Sequence, residues 1–226
     1  MNSKAFRSFS YGLYLVSTVD AQGRSAGCVV NTAAQVSSRP YRILVTINKD
    51  NATCQAVQQT GKFALTVLSQ DATMELIGTF GFHSSADLDK FAGLSDVREL
   101  MDGVPCVADS AVAILGCTVC SATDAGSHVV FVADVNEAEV VNEDRTPLTY
   151  DYYHRVLKGT TPPKASAFIA EETVASEPAE ERPVGQMHHF RCNLCGYVFE
   201  TEAEELPADF KCPLCGAGAP MFKKVD

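Results

Sequence analysis

Four cysteines near the C-terminal end carry the strongest chemical signal in the sequence. They form two Cys-x-x-Cys-Gly knuckles within 24 residues. Two intervening residues let both sulfurs of a knuckle face one ion, and the following glycine lets the backbone turn so that N–H groups point at the thiolates. The spacing therefore predicts one tetrahedral site with four thiolate ligands, which suits Zn or Fe. Its ligands are Cys192, Cys195, Cys212 and Cys215.

The residues around the knuckles bear on which metal is bound. Four aromatic side chains lie close to them in sequence: Tyr197, Phe199, Phe210 and Phe222. An apolar shell keeps water from a single ion and tunes its redox potential, which favours iron. A structural zinc ribbon has the same ligand spacing, so the knuckles alone leave zinc open as the alternative.

Composition limits the partners and the compartment. The chain has 226 residues, enough for one large domain and one small one, and a formal net charge of −10. That charge argues against nucleic acid and anionic membranes as partners. No apolar run approaches membrane-spanning length, and the N-terminus lacks a continuous apolar signal region. Four of the nine cysteines are assigned to metal, which leaves five, an odd number that argues against a disulfide framework. We expect these five mostly as buried thiols, in a reducing, cytoplasmic compartment.

Short alternating apolar segments predict a mainly β first part with helical caps. Two helices are expected, at 52–59 with Gly61 as its C-cap and at 72–80. This pattern is typical of a β-barrel. The predicted strands cover 10–19, 25–31, 42–48, 63–68, 112–121 and 128–136.

The amino-acid composition changes after Leu157. Residues 159–187 are rich in Pro, Ala and Glu and have few apolar anchors. We interpret them as a flexible tether that spans roughly 30 Å root-mean-square. The predicted organisation is thus a barrel at 1–158, a tether at 159–187 and a metal-binding domain at 188–226.

Two stretches of the barrel could hold a ligand. Small and hydroxyl residues at 27–38 offer donors to a planar polar ring, and Lys49 precedes a helix start that could bind phosphate. An ordinary capped helix explains the second stretch equally well. No Gly-x-Gly-x-x-Gly motif follows a strand, so a Rossmann nucleotide site is unsupported.

Residues 9–157 resemble the flavin reductase-like family. The matching motifs are Asn-Thr-Ala-Ala-Gln-Val-Ser-Ser at 31–38, Asn-Lys at 48–49, Asn-Ala-Thr at 51–53, Phe-His-Ser-Ser at 82–85, Asp-Lys-Phe at 89–91 and Gly-Ser-His at 126–128. The resemblance implies a split β-barrel that binds FMN, or FAD in some members.

The resemblance also assigns roles to individual residues. The isoalloxazine ring is expected at Asn31, Thr32, Ala33, Gln35 and Ser37. Phosphate and ribityl contacts are expected from Asn48, Lys49, Asn51, Thr53, Ser84 and Lys90. His128 is expected near the nicotinamide, although Ser127 stands where the family commonly has Asp.

Residues 190–224 resemble a short rubredoxin, but the chain has no tryptophan, which rubredoxins usually carry. The whole architecture is similar to the high-molecular-weight rubredoxins of anaerobes. That family implies an enzyme that passes electrons from NADH or NADPH through flavin to one Fe(Cys)4 centre and on to a flavodiiron protein that reduces O2 or NO.

A second hypothesis has no catalysis. In it the barrel holds flavin or haem structurally and a zinc ribbon docks a partner protein. Under either hypothesis we expect a homodimer through the barrel, with Tyr150, Tyr152 and Tyr153 providing apolar surface for the second subunit.

Overall fold

The computed structural model describes residues 2–162, 164–168, 188–201, 203–212 and 215–225. The larger part is a β-barrel with helical caps. The smaller part, residues 188–225, is a three-stranded sheet that carries the knuckles and is called the C-terminal unit below.

Seven antiparallel strands make up the barrel sheet, in the order β2-β1-β5-β8-β9-β4-β3. The strands β6 and β7 form a separate hairpin. Because β2 and β3 end the sheet, the barrel is split between them, and this confirms the predicted fold class. In chain order the strands are β1 Tyr14–Val19, β2 Ser25–Val30, β3 Ala33–Ser38, β4 Tyr41–Asn48, β5 Lys62–Leu68, β6 Val97–Leu100, β7 Val104–Val107, β8 Ala111–Asp124 and β9 His128–Val140.

Three helices pack on the barrel: α1 Ala52–Thr60, α2 Met74–Phe82 and α3 Tyr150–Arg155. The Asn51 side chain caps α1 by accepting a hydrogen bond from the Thr53 N–H. Gly61 ends the helix in the left-handed conformation, with φ of 68°, and donates its N–H to the Val57 carbonyl. The predicted C-cap is therefore confirmed.

The core follows the period-two pattern of the strands. Ile43, Val45 and Ile47 alternate inward along β4, as their spacing predicts. They pack with Phe63 of β5 and Phe131 of β9, both fully buried. This continuous apolar core holds the barrel together.

The first predicted ligand loop is largely a strand. Residues 33–38 form β3, which pairs with β4 through a bulge between Gln35 and Ser37. Their small and polar side chains give a weak strand signal, since they have low β propensity and the strand lies exposed at the sheet edge. One side of the β3 backbone therefore pairs with β4, and the other side lies at the open edge of the sheet.

The C-terminal unit is built from β10 His188–Cys192, β11 Val198–Thr201 and β12 Phe222–Lys224, in the order β11-β10-β12. The Phe210 ring packs on Phe199 at a centroid distance of 4.6 Å and on Phe222 at 5.2 Å. Of the four aromatic residues that the sequence places near the knuckles, Tyr197 and Phe222 pack against the four cysteines, and Phe199 and Phe210 extend the apolar contact behind Phe222.

Residues 159–162 and 164–166, together called the strap below, run back over the barrel. Gly159 begins the strap against the Tyr153 ring, where a Cβ atom would lie only 2.1 Å from the ring. The sequence places this segment in the tether, but the strap makes hydrogen bonds to the barrel that are described below. The remainder of the predicted tether, 169–187, lies outside the described residues. No described helix is long and apolar enough to cross a membrane.

Candidate functional site

The four knuckle sulfurs converge in the C-terminal unit. Their Sγ atoms all lie within 4.8 Å of one another, and all four residues are buried. The distance is 3.7 Å between the sulfurs of Cys192 and Cys215, and 3.5 Å between those of Cys195 and Cys212. Four sulfurs bound at about 2.3 Å from one ion would lie about 3.8 Å apart, so the donor set fits a tetrahedral metal.

The two knuckles have the same backbone geometry. The N–H of Gly196 donates to the carbonyl of Cys192, and the N–H of Gly216 donates to the carbonyl of Cys212. Both glycines have positive φ, 77° and 71°, which a residue with a side chain rarely adopts. The tight turns bring the paired cysteines onto the same side, as their spacing predicts.

Burial makes the thiols of Cys195 and Cys215 hard to ionise by themselves. It raises the pKa of Cys215 to about 12 and raises the pKa of Cys195 further still. Backbone hydrogen bonds from Tyr197 to Cys195 and from Ala217 to Cys215 act in the opposite direction. At Cys192 burial also raises the pKa, but backbone hydrogen bonds from Cys195 and Leu194 help to outweigh it and hold that pKa below its ordinary value. A metal cation that replaces the protons would stabilise the thiolates, so metal binding releases protons here.

A cleft opens beside the split of the barrel. Its floor comes from β2, β4 and α2, and the strap crosses its mouth. The cavity between these elements is about 80 Å³. Residues that line it include Cys28, Asn31, Thr46, Asn48, Asn51, Phe82, His128, Tyr150, Tyr153, Lys164 and Ser166.

Polar atoms without protein partners face this cleft. Asn31 is 6% exposed, and its Nδ2 atom has no hydrogen-bond partner among the described residues. The Oγ1 atom of Thr46 is buried and has none there either. A buried donor without a partner is costly, so these atoms point to a polar ligand in the cleft.

The structure brings some of the predicted flavin residues together. Asn31, Asn48, Asn51 and His128 line the cleft. Thr32 lies beside it and shares a hydrogen bond of 2.9 Å with Ser166. The residues come from four separate stretches of the chain, and the β4–β9 register places Asn48 directly opposite His128.

The other predicted flavin residues lie outside the cleft lining. Ala33, Gln35 and Ser37 are on the edge strand β3. Thr53 is fully buried at the start of α1, and Ser84 is exposed and accepts a hydrogen bond from the Ala86 N–H.

The two lysines that the sequence assigns to phosphate are engaged elsewhere. Lys49 pairs with Asp124 at the β8–β9 turn. Lys90 is 2% exposed, and its Nζ atom donates to the carbonyls of Gly27 at 2.8 Å and Phe80 at 3.2 Å. Burial lowers the pKa of Lys90 to about 8. The two hydrogen bonds of its ammonium group tie β2 to α2 in the barrel interior.

A third lysine, Lys164 of the strap, lines the cleft. Its Nζ atom lies 3.4 Å from a carboxylate oxygen of Asp50, and its carbonyl accepts a hydrogen bond from Asn48. Two residues later, Ser166 donates to Asn31 at 2.7 Å. The sequence does not predict these contacts, because the preceding Thr-Thr-Pro-Pro run is typical of a linker. The three residues Lys-Ala-Ser that follow are too few to indicate a binding segment.

Two tyrosines that the sequence assigns to a subunit contact also line the cleft. Tyr153 is 2% exposed and stacks on Tyr150 at a centroid distance of 5.9 Å. The expected apolar surface is therefore packed inside the subunit, because α3 turns these rings toward the barrel.

His128 is half-buried at the cleft. Its Nδ1 atom is 2.9 Å from the Ser127 hydroxyl, in the place where the family commonly has a carboxylate. Burial lowers the pKa of His128, and a hydrogen bond with the Lys164 backbone acts in the opposite direction. A neutral imidazole therefore faces the cleft at neutral pH.

The cleft and the cysteine cluster share a wall. Phe82, at the end of α2, lines the cleft and packs against the cluster of Cys192, Cys195, Cys212 and Cys215. Phe82 thus contacts both candidate sites.

Comparison with known proteins accounts for both parts of the chain. Residues 6–159 match the flavin reductase like domain, and residues 190–223 match the rubrerythrin, rubredoxin-like domain. A high molecular weight rubredoxin of Moorella thermoacetica is 35% identical over 238 aligned residues that cover all of both chains.

Two further relatives cover the barrel. A ferric-chelate reductase (NAD(P)H) of Archaeoglobus fulgidus is 40% identical over 75% of this chain and 98% of its own. The solved NADH:FAD oxidoreductase of Streptomyces globisporus, in complex with NAD and FAD fragments, has a TM-score of 0.56 at 26% identity and covers 65% of this chain and 84% of that chain. With a flavin reductase-like domain followed by a rubredoxin-like domain, the chain belongs to the high-molecular-weight rubredoxin family.

Proposed function

We propose that the chain is an oxidoreductase that carries electrons from NADH or NADPH, through FMN bound in the cleft, to one iron held by four cysteines. The observation that carries this proposal is the shared wall: Phe82 touches both the cleft and the cysteine cluster. Bound flavin accepts two electrons and releases them singly, which suits a two-electron donor and a one-electron metal centre.

The chain's own groups suit a flavin in the cleft. The free Nδ2 atom of Asn31 offers a donor to the ring or ribityl oxygens. Lys164 lines the cleft and, paired with Asp50 at 3.4 Å near the start of α1, offers a cation to a phosphate. Lys49 is the weaker candidate, because it pairs with Asp124 at 2.5 Å and does not line the cleft. A single terminal phosphate beside α1 favours FMN over FAD. Acid extraction and chromatography of the bound flavin test this assignment, and recovery of FAD alone refutes it.

Iron suits the cysteine cluster for two reasons. The sulfur positions fit a tetrahedron, and Tyr197 and Phe222 add apolar surface that packs against the ligands. Metal analysis of protein from its native source tests the assignment. Stoichiometric zinc would instead support the hypothesis of a structural ribbon.

His128 is proposed to position the nicotinamide at the open side of the cleft. Its neutral ring can donate or accept a single hydrogen bond without adding charge near the flavin. Kinetics with His128→Gln would test this role: an increase in the KM for the nicotinamide without loss of bound flavin is expected.

The proposed partners follow from charge and exposed surface. A net charge of −10 suits an acceptor with a basic docking patch, such as a flavodiiron protein.

A homodimer is proposed through the edge of the sheet, where Val36 and Tyr41 are 48% and 65% exposed. A monomer by light scattering, with flavin bound, would refute the dimer. The five thiols outside the cluster suit a reducing cytoplasm.

Anaerobic spectroscopy tests the proposed function as a whole. The purified chain is expected to show both the red colour of the oxidised iron site and the yellow of flavin, and NADH or NADPH should bleach both. A colourless metal site, or iron that stays oxidised after the flavin has been reduced, would refute it.

A further inference from the structure

Two hydrogen bonds join the barrel to the backbone of the knuckles. The Nε2 atom of His83, just after α2, lies 3.0 Å from the carbonyl oxygen of Cys215. The Thr160 hydroxyl, in the strap, donates to the carbonyl of Cys195 at 2.6 Å. Cys195 and Cys215 are the second cysteines of their knuckles, so the barrel holds one carbonyl of each knuckle.

Apolar contacts and a second hydrogen-bonded path complete this contact. Met74 and Phe82 of α2 pack against the cysteine cluster. Tyr153 lines the cleft and donates its hydroxyl to the Thr160 carbonyl, while the Thr160 side chain bonds the knuckle. Phe82 and the Tyr153–Thr160 pair thus each connect the cleft to the metal ligands.

We infer that this contact is the arrangement in which electrons pass from the flavin to the iron, and that His83 and Thr160 are the positioning residues that hold it. The inference rests on the proposed function. Each NAD(P)H yields NAD(P)+, a proton and two electrons. A ferric centre takes one electron and becomes ferrous, and it takes the second after passing the first to a one-electron acceptor protein.

The contact is small enough to be reversible. Among the described residues, the contact has two hydrogen bonds and two apolar side chains of α2, far fewer than a permanent interface uses. A covalent connection of residues 169–187 raises the effective concentration to roughly millimolar, so weak contacts suffice to hold the unit in place. The same weakness would let the C-terminal unit leave the barrel and meet an external acceptor.

The decisive variant is the double substitution His83→Ala with Thr160→Val. It removes both side-chain partners of the knuckle carbonyls and keeps the Thr160 backbone carbonyl that Tyr153 uses. Neither residue lines the cleft, so flavin content and flavin reduction by NADH should be unchanged. Thr123→Val, on the exposed end of β8, is the matched control for loss of a hydroxyl.

Two measurements decide the inference. In anaerobic stopped-flow experiments on the full chain, iron reduction after flavin reduction should slow at least about tenfold in the double variant, since each lost hydrogen bond is worth severalfold in the contact equilibrium. In the zinc-loaded chain, hydrogen exchange at residues 80–83 and 160–162 should rise in the double variant and stay unchanged in Thr123→Val.

Unchanged iron reduction together with unchanged exchange would overturn the inference. A native chain whose iron is not reduced by NADH or NADPH would instead refute the proposed function. The exchange measurement needs no turnover, so it would still show whether His83 and Thr160 hold the contact.

Discussion

The cysteine cluster and the cleft are built in opposite ways. The cluster takes all four ligands from two tight turns within 24 residues, and three short strands frame it. The cleft takes its lining from segments between Leu13 and Ser166, which the barrel sheet brings together. One site is local in sequence, and the other exists only when the whole barrel is folded.

Because of this difference, the two sites are stabilised by different interactions. A small unit with few buried apolar residues depends on its metal, because metal binding supplies folding free energy directly. The barrel depends on a continuous core of residues such as Val45, Phe63 and Phe131. Loss of the metal site should therefore leave the barrel folded, and destabilising the barrel should leave the metal site intact. The predictions below test that independence.

The largest effect is expected from Cys195→Ser. Metal binding contributes roughly 10–16 kcal/mol in zinc-finger peptides, and removing one thiolate should abolish the stable site. The red absorbance should disappear while the flavin absorbance and the thermal transition of the barrel remain. Cys120→Ser is the control, since Cys120 is exposed and outside the cluster. Loss of bound flavin in Cys195→Ser would contradict the independence of the two sites.

The converse change is Phe131→Ala in the barrel core. Phe131 is fully buried, so the truncation should lower the free energy of unfolding by about 3–5 kcal/mol. Urea unfolding followed by circular dichroism should shift to lower denaturant, while iron absorbance should keep its own midpoint. Val140→Ala, at a position 57% exposed, should leave both curves in place. A shared shift of both curves would show one cooperative unit.

Sequence reasoning succeeds where a site is local. Cys192, Cys195, Cys212 and Cys215 follow from spacing alone, because the turn geometry brings neighbouring residues together. The strand and helix pattern likewise predicts the barrel, since residues such as Ile43 and Val45 alternate with its pleat.

The same reasoning is weaker for the cleft. Lys49 and Lys90 have the right chemistry in sequence, but Asp124 is brought to Lys49 by the β8–β9 turn, and two carbonyls surround Lys90 in the interior. Lys164 is not among the predicted phosphate residues; it lies more than 70 residues from each of them, in a proline-rich segment. Only the packing of the strap on the barrel places it at the cleft.

A smaller effect is expected from Lys164→Glu. Replacing a cation by an anion near a phosphate should weaken flavin binding by about tenfold or more, since a surface charge pair contributes about 1–4 kcal/mol at this range. Flavin fluorescence titration measures the change. Lys158→Glu, outside the cleft, makes the same change in net charge and should leave affinity unaltered. If Lys49→Glu weakens flavin binding more than Lys164→Glu does, the phosphate would be assigned to Lys49 instead.

The smallest effect concerns His128. Burial holds its pKa in the folded barrel below the ordinary value of 6.5, so the unfolded chain binds the proton more readily. The free energy of unfolding should therefore fall as pH drops from 6.5 toward the folded pKa, with no contribution from His128 above 6.5. Urea midpoints at about pH 7.5 and about pH 5.5 should differ less in His128→Gln than in the native chain. Equal pH dependence in both would contradict the assignment.

The most direct test of the account is the anaerobic visible spectrum of the full chain before and after NADH or NADPH, with and without its flavin. With flavin present, the flavin band and the ferric band should both bleach. In the flavin-depleted chain the ferric band should persist, because a one-electron iron centre cannot take a hydride. Bleaching of the iron without flavin would contradict the proposed order of electron transfer.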